Sequence, residues 1–278
     1  KYFSNYLPDT SNLTKIFTNW ITDEFMLTDL HELSLYSQTK LQTVTENLPR
    51  HYIFNQFLEI SQYINRILYR HQGHLILVGK NGSGRKTVIK FVASLQEIFV
   101  FKARWHKYYS LSDFDEELRD LFKRIITKNE KVIFLIDESS ALPPLFLERV
   151  NVLLSSGDMC DLYQDEKYIS LISTLKEISS RHSVNFKDSD ELYKWFVERI
   201  KSNLHFIFLF NDNLVEWSNK VSSYSNIIKK CCVKWCGNWS IPSLCEVIIQ
   251  LIKDVDLSFV EYEETQFEYI LPDILNQP

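Results

Sequence analysis

Residues 74–87 read His-Leu-Ile-Leu-Val-Gly-Lys-Asn-Gly-Ser-Gly-Arg-Lys-Thr. Leu75 to Val78 make a short apolar strand, Gly79, Gly82 and Gly84 a turn, and Val88, Ile89, Phe91 and Val92 recur at helical spacing. Strand, glycine-rich turn and helix in that order are what a phosphate-binding loop requires. Three of the chain's six glycines stand in this turn. Glycines accept positive φ and let several N–H groups approach an anion at a helix N-terminus, whose dipole favours negative charge. A plain tight turn between strand and helix is the alternative. The candidate phosphate-binding residues are Gly79, Lys80, Asn81, Gly82, Ser83, Gly84, Arg85, Lys86 and Thr87.

The loop departs from the usual G-x4-G-K-[ST] pattern. Counted from Gly79, the second glycine is Gly84, so Arg85 stands at the lysine position and Lys86 at the hydroxyl position. A guanidinium is wider and flatter than an ammonium, and a lysine cannot ligate Mg²⁺ as a Ser or Thr hydroxyl does. Thr87 comes one residue late, which turns it by about 100° around a helix.

Outward from the loop, apolar runs and amphipathic periods alternate. Phe54, Phe57, Leu58, Ile60, Tyr63, Ile64, Ile67 and Leu68 predict a helix leading into the first strand. After the loop helix come a strand within 98–105 and a helix from Ser112, with Asp113 as its cap. Val132 to Ile136 is a continuous apolar strand, and Pro143-Pro144 opens a helix through Leu147, Val150 and Leu153. Residues 157–189 interrupt the alternation with a turn at Gly157-Asp158, a helix near 169–178 and a polar stretch, and are read as an insertion. A helix over 190–202, a strand over 205–210, a strand over 231–236 and a helix over 241–252 complete the pattern. Strands joined by crossover helices imply an α/β fold, a parallel sheet with helices on both faces. Residues 1–48 are expected to be a lead-in, helical in two pieces, and the acidic last twenty residues to be loose.

Two further stretches carry chemistry. Phe134-Leu135-Ile136-Asp137-Glu138 ends a buried strand in two acids, the placement that sets an Asp at Mg²⁺ and a Glu at the attacking water in phosphate-loop enzymes. A solvated strand end that caps the next helix is the alternative. Asn211, after Phe206 to Phe210, is either a sensor that reaches the γ-phosphate or an ordinary strand cap.

Composition bounds the function classes. With 45% hydrophobic and 24% charged residues the chain falls in the globular class. A net charge of −5 without a dominant basic patch argues against nucleic-acid or anionic-membrane partners. The five cysteines form no CxxC pair, so reduced thiols and an intracellular site are expected. No apolar run approaches the roughly 20 residues of a membrane span. The chain starts without Met and is expected to be an excised fragment.

Several segments together resemble one family. They are Gly73 to Gly79, Asp113 to Arg119, Ile136 to Ser139, Phe146 to Leu154, Glu191 to Phe196 and Asn203 to His205. They are similar, over about residues 50–275, to the fourth AAA+ module of cytoplasmic dynein heavy chains. The resemblance implies a P-loop AAA+ core of five parallel strands, one of six modules in a microtubule motor ring for minus-end-directed transport. On it, residues 1–48 are the lead-in, 49–256 the large α/β subdomain and 257–278 a tail towards a lid. Glu138 matches the catalytic glutamate, Asp137 the Mg²⁺ acid and Asn211 the sensor. Lys230 stands where relatives carry an arginine finger acting on the neighbouring module, and it lacks the planar fork. The implied cofactors are ATP or ADP with Mg²⁺, and the implied partners are neighbouring AAA+ modules, with microtubules reached only through a stalk. The implied location is the cytoplasm, on the cytoskeleton. The altered loop makes little or no hydrolysis the expectation, with an active ATPase or a nucleotide-free spacer as alternatives.

Overall fold

A computed structural model of the chain describes residues 15–22, 24–44, 52–103, 108–137, 144–156, 162–181, 186, 188–213 and 225–252. The chain divides into two compact units, Lys1–Trp239 and Ser240–Pro278.

The first unit is organised by a five-stranded sheet of β3 (His74–Gly79), β4 (Phe99–Phe101), β5 (Val132–Asp137), β6 (Leu204–Phe210) and β7 (Cys231–Cys236). Its order is β4-β5-β6-β3-β7 and every pairing is parallel. This is the α/β sheet expected from the alternation of apolar runs. The three central strands are buried at every residue, as parallel strands covered on both faces must be. The edge strands β4 and β7 are only partly covered.

Period-two alternation assigns the faces. Ile76, Val78, Phe134, Ile136, Phe206 and Phe208 share one core with α4 (Leu111–Lys128), α5 (Pro144–Ser156), α6 (Glu166–Arg181) and α7 (Ser189–Asn203). Aromatic rings dominate it: Phe134 lies 5.4 Å from Phe206 and 6.1 Å from Phe114, centroid to centroid. Leu75, Leu77, Ile133, Leu135, Ile207 and Leu209 are equally buried on the other face. The helices α2 (Asn55–Tyr69) and α3 (Arg85–Leu95) meet through Phe57 and Phe91, 4.8 Å apart. The segment 157–189, expected to be an insertion, contributes α6, whose Ile172, Leu175 and Ile178 join the main core. The turn at Gly157-Asp158 lies outside the described residues.

Two local expectations are corrected. Among the described residues of the lead-in, 15–29 are not helical: β1 (Lys15–Thr18) and β2 (Met26–Asp29) form an antiparallel hairpin, and α1 (Leu30–Val44) follows as a helix. Four-residue strands are too short for periodicity to separate from a helix turn. Here tertiary contacts decide: Thr18 and Thr28 are buried, Trp20 packs on Phe91 at 5.9 Å, and Asn65 of α2 donates to Asn19 Oδ1. The cap of α4 is Ser110, not Asp113. Asp113 is its third residue and closes a capping box, each side chain bonded to the other's backbone N–H.

In the second unit α9 (Ile241–Ile252) begins at Ser240, whose hydroxyl accepts from the Ser243 N–H. Ile241, Leu244, Ile248, Ile249, Leu251 and Ile252 are exposed along it. Among the described residues no helix is long and apolar enough to cross a membrane.

Candidate nucleotide site

Strand order brings the separated motifs together. The loop follows β3, Asp137 ends β5 and Asn211 follows β6, and β6 lies between the other two in the sheet. Three chain segments therefore converge at the carboxyl edge, where open α/β sheets bind ligands. A cleft of about 370 Å³ lies there, lined by residues 81–87 together with Asp137 and Leu209.

The loop has the backbone its glycines foretell. Gly82 has φ +83° and Gly84 has φ +79°, the left-handed region in which a Cβ is strained. Gly84 is the N-cap of α3, so Arg85, Lys86 and Thr87 form the helix's first turn. The first N–H groups of an α-helix have no acceptor within the helix and favour an anion. A Cβ on Gly79 would come within 2.6 Å of the Cys236 carbonyl oxygen, so glycine there permits close approach to β7. Trp239 holds the loop from outside, its indole N–H donating to the Ser83 carbonyl at 3.3 Å. The Ser83 hydroxyl is buried and has no hydrogen-bond partner among the described residues. Positive-φ glycines, the first turn of α3 and this unsatisfied hydroxyl together suit a phosphate group.

The two unusual residues are engaged with the site's own groups. Arg85 is buried, and its guanidinium donates to the carbonyl oxygens of Phe210, Lys80 (3.1 Å) and Leu77 (3.5 Å), and to Asn211 Oδ1 (3.5 Å). Burial lowers its pKa from the ordinary arginine value, opposed in order by Cys236, Asp137 and Asp212. The side chain thus bridges the ends of β3 and β6. Lys86 turns to β5 and ion-pairs through Nζ with Asp137 Oδ2. The Asp137 side chain is only 6% exposed, that of Lys86 51%.

These residues do not fit a magnesium ion. Mg²⁺ demands near-octahedral oxygen coordination. Position 86 offers an ammonium instead of a hydroxyl, and the acid that would complete the shell is already paired with it. Thr87, the nearest hydroxyl in sequence, is exposed. Among the described residues no cluster of His, Cys, Asp and Glu suits a metal ion.

The remaining candidates separate. Glu138 lies outside the described residues. Lys230 ends α8 (Ser225–Lys230) immediately before β7, whose first residue Cys231 pairs with His74 at the start of β3. It is therefore at the opposite edge of the sheet from the loop. There it lines a small cavity with Gln72, His74 and Lys201. The sequence pointed to the loop, Asp137 and Asn211 but not to their mutual pairing, nor to Trp239 as a brace. A tryptophan just beyond an edge strand carries no local signal of what it covers.

The comparisons agree with this architecture. A family profile described as the P-loop containing dynein motor region D4 matches residues 52–271. The chain is 34% identical over 251 residues to the cytoplasmic dynein heavy chain of Fusarium vanettenii, covering 89% of this chain and 6% of that protein. It is 35% identical over 249 residues to that of Neurospora crassa, covering 87% and 6%. With the Drosophila melanogaster protein the identity is 32% over 255 residues, covering 91% and 6%. The chain thus spans about 6% of the length of the curated relatives it matches. With the five-stranded parallel sheet, the glycine loop and Asp137 on the strand ends of one sheet edge, the chain belongs to the P-loop-containing dynein motor-region family.

Proposed function

We propose that the chain is a fragment of a dynein microtubule motor, its fourth AAA+ module, and that it acts as a regulatory module. In this reading it binds ATP or ADP in the altered loop and hydrolyses it little or not at all. The observation that carries the reading is the Lys86–Asp137 ion pair, set in a cleft whose glycine loop keeps its phosphate-cradling backbone. Binding needs the loop, whereas hydrolysis also needs an acid free to organise metal and water. Its partners are the neighbouring modules of the same heavy chain, with Lys230, at the far edge of the sheet, as the group directed to one of them. Microtubules are reached only through a stalk outside these residues. The relatives are named cytoplasmic, which supports a cytoplasmic, cytoskeleton-associated location.

Isothermal titration with ATP and with ADP tests binding. Heat of binding with a Kd at or below about 1 mM supports the reading, and its absence overturns it. Turnover that Glu138→Gln abolishes would instead make the module a working ATPase. A second reading, a nucleotide-free spacer, is favoured by Arg85, which satisfies the carbonyls of Phe210 and Lys80 within the chain. A crystal grown with ATP that shows an empty loop would establish it.

A further inference from the structure

Asp137 is a buried carboxylate at a place where this fold ordinarily calls for a divalent cation. A buried charge left without partners is costly, and an opposite charge beside it offsets that cost. Lys86 brings that charge from the residue position that would otherwise supply a metal-ligating hydroxyl. Its stem runs from the first turn of α3 to the end of β5, and its ammonium pairs with Oδ2. The same substitution thus removes a metal ligand and installs a cation.

We propose that the Lys86 ammonium is a built-in counter-ion occupying the cation position at Asp137, so that the site takes adenine nucleotide without a divalent metal. Metal independence rests on the nucleotide-binding reading above; the counter-ion role does not. A metal ion brought close to Asp137 would have to displace the ammonium or sit against it, and like charges at contact distance repel. Lys86 is half exposed and lines the cleft, so a phosphate bound there lies beside the same ammonium that pairs with the carboxylate. One ammonium then serves carboxylate and phosphate together, the bridging role a metal plays elsewhere. Arg85 cannot take that role, because its guanidinium is committed to main-chain carbonyls.

Two measurements on the 278-residue chain decide the proposal. The first is thermal unfolding, without nucleotide, of the parent, Lys86→Met, Asp137→Asn and the double variant. Lys86→Met is expected to lower Tm by about 3 °C, with most of the loss recovered when Asp137→Asn removes the buried charge that Lys86 balances. Lys86→Arg, which keeps the charge, should stay close to the parent. A neutral Lys86→Met, or a double variant no better than the single one, overturns the counter-ion.

The second is ADP titration in Mg²⁺ and in EDTA. The parent's Kd should agree within about twofold between the two buffers, whereas Lys86→Thr should gain at least about a tenfold preference for Mg²⁺. Tightening of the parent by about tenfold or more in Mg²⁺ overturns metal independence. If ADP binds in neither buffer, the nucleotide reading falls, and the unfolding series still decides whether Lys86 is the counter-ion of Asp137.

Discussion

The Arg85 guanidinium donates to the main-chain carbonyl oxygen of Phe210, joining the first turn of α3 to the end of β6. The bond replaces one that water would otherwise make to the last carbonyl of a central strand. Its neighbours, the Lys80 carbonyl at 3.1 Å and Asn211 Oδ1 at 3.5 Å, receive the other guanidinium nitrogen. A residue of the candidate phosphate loop therefore holds the strand ends together.

Arg85→Ala should consequently destabilise the fold, by about 2–3 kcal/mol in urea unfolding, since buried carbonyls lose a charged donor. Arg85→Lys should cost less, because one ammonium can still reach a single carbonyl but not three. If the guanidinium did not bond these carbonyls, both substitutions would leave stability unchanged.

The glycines make a graded series. Gly82 has open space where a Cβ would stand but φ +83°, so Gly82→Ala should cost about 1 kcal/mol of backbone strain. Gly79→Ala meets the Cys236 carbonyl oxygen at 2.6 Å, and only separation of β3 from β7 relieves it. That change should cost more, about 1–3 kcal/mol, as overpacking does. Denaturant midpoints of the two variants rank them directly, and an inverted order would refute the close approach of β7.

Much of this was legible in the sequence for identifiable reasons. The strands Val132 to Ile136 and Phe206 to Phe210 are buried on both faces, so their apolar runs are uninterrupted and mark a parallel sheet. Gly82 and Gly84 stand where the backbone needs positive φ. Asp137 and Asn211 could be tied to the loop because strand ends of one sheet edge gather ligands. The β1–β2 hairpin was not legible, since its four-residue strands owe their conformation to Trp20, Thr18 and Thr28 packing in three dimensions. Nor was the Lys86–Asp137 pair, which depends on the direction of a long side chain and not on spacing. The sequence could say only what Lys86 is unable to ligate.

The aromatic core should be sensitive to truncation. Phe134 is fully buried with ring neighbours Phe101 at 5.0 Å, Phe206 at 5.4 Å and Phe114 at 6.1 Å. Phe134→Ala should cost about 3–5 kcal/mol, whereas Phe134→Leu should cost less by filling most of the space. Equal losses for both, measured by urea unfolding, would show that the ring contacts matter beyond volume.

At the opposite edge of the sheet from the loop, His74 and His205 make stability depend on pH. His205 Nδ1–H donates to the Gly73 carbonyl at 2.8 Å, and its Nε2 is buried without a partner among the described residues. His74 Nδ1 accepts the Phe206 N–H at 3.1 Å, so a proton there would face a donor. Burial above all lowers the pKa of each to about 4. Electrostatic repulsion from neighbours adds to this, His205 and Lys230 for His74, and Lys131 and His71 for His205, while the Gly73 bond opposes it in His205. An unfolded chain titrates near 6.5, so it binds more protons than the native state between those values. Stability is thus complete above about pH 6.5 and declines as the pH falls towards 4. At pH 5 each histidine should account for about 2 kcal/mol, or about 4 kcal/mol for the pair. Urea unfolding between pH 7 and pH 5 should show that loss, and His74→Asn should remove about half of it. A flat profile in the parent chain would mean that the two imidazoles are as easily protonated in the folded sheet as in water.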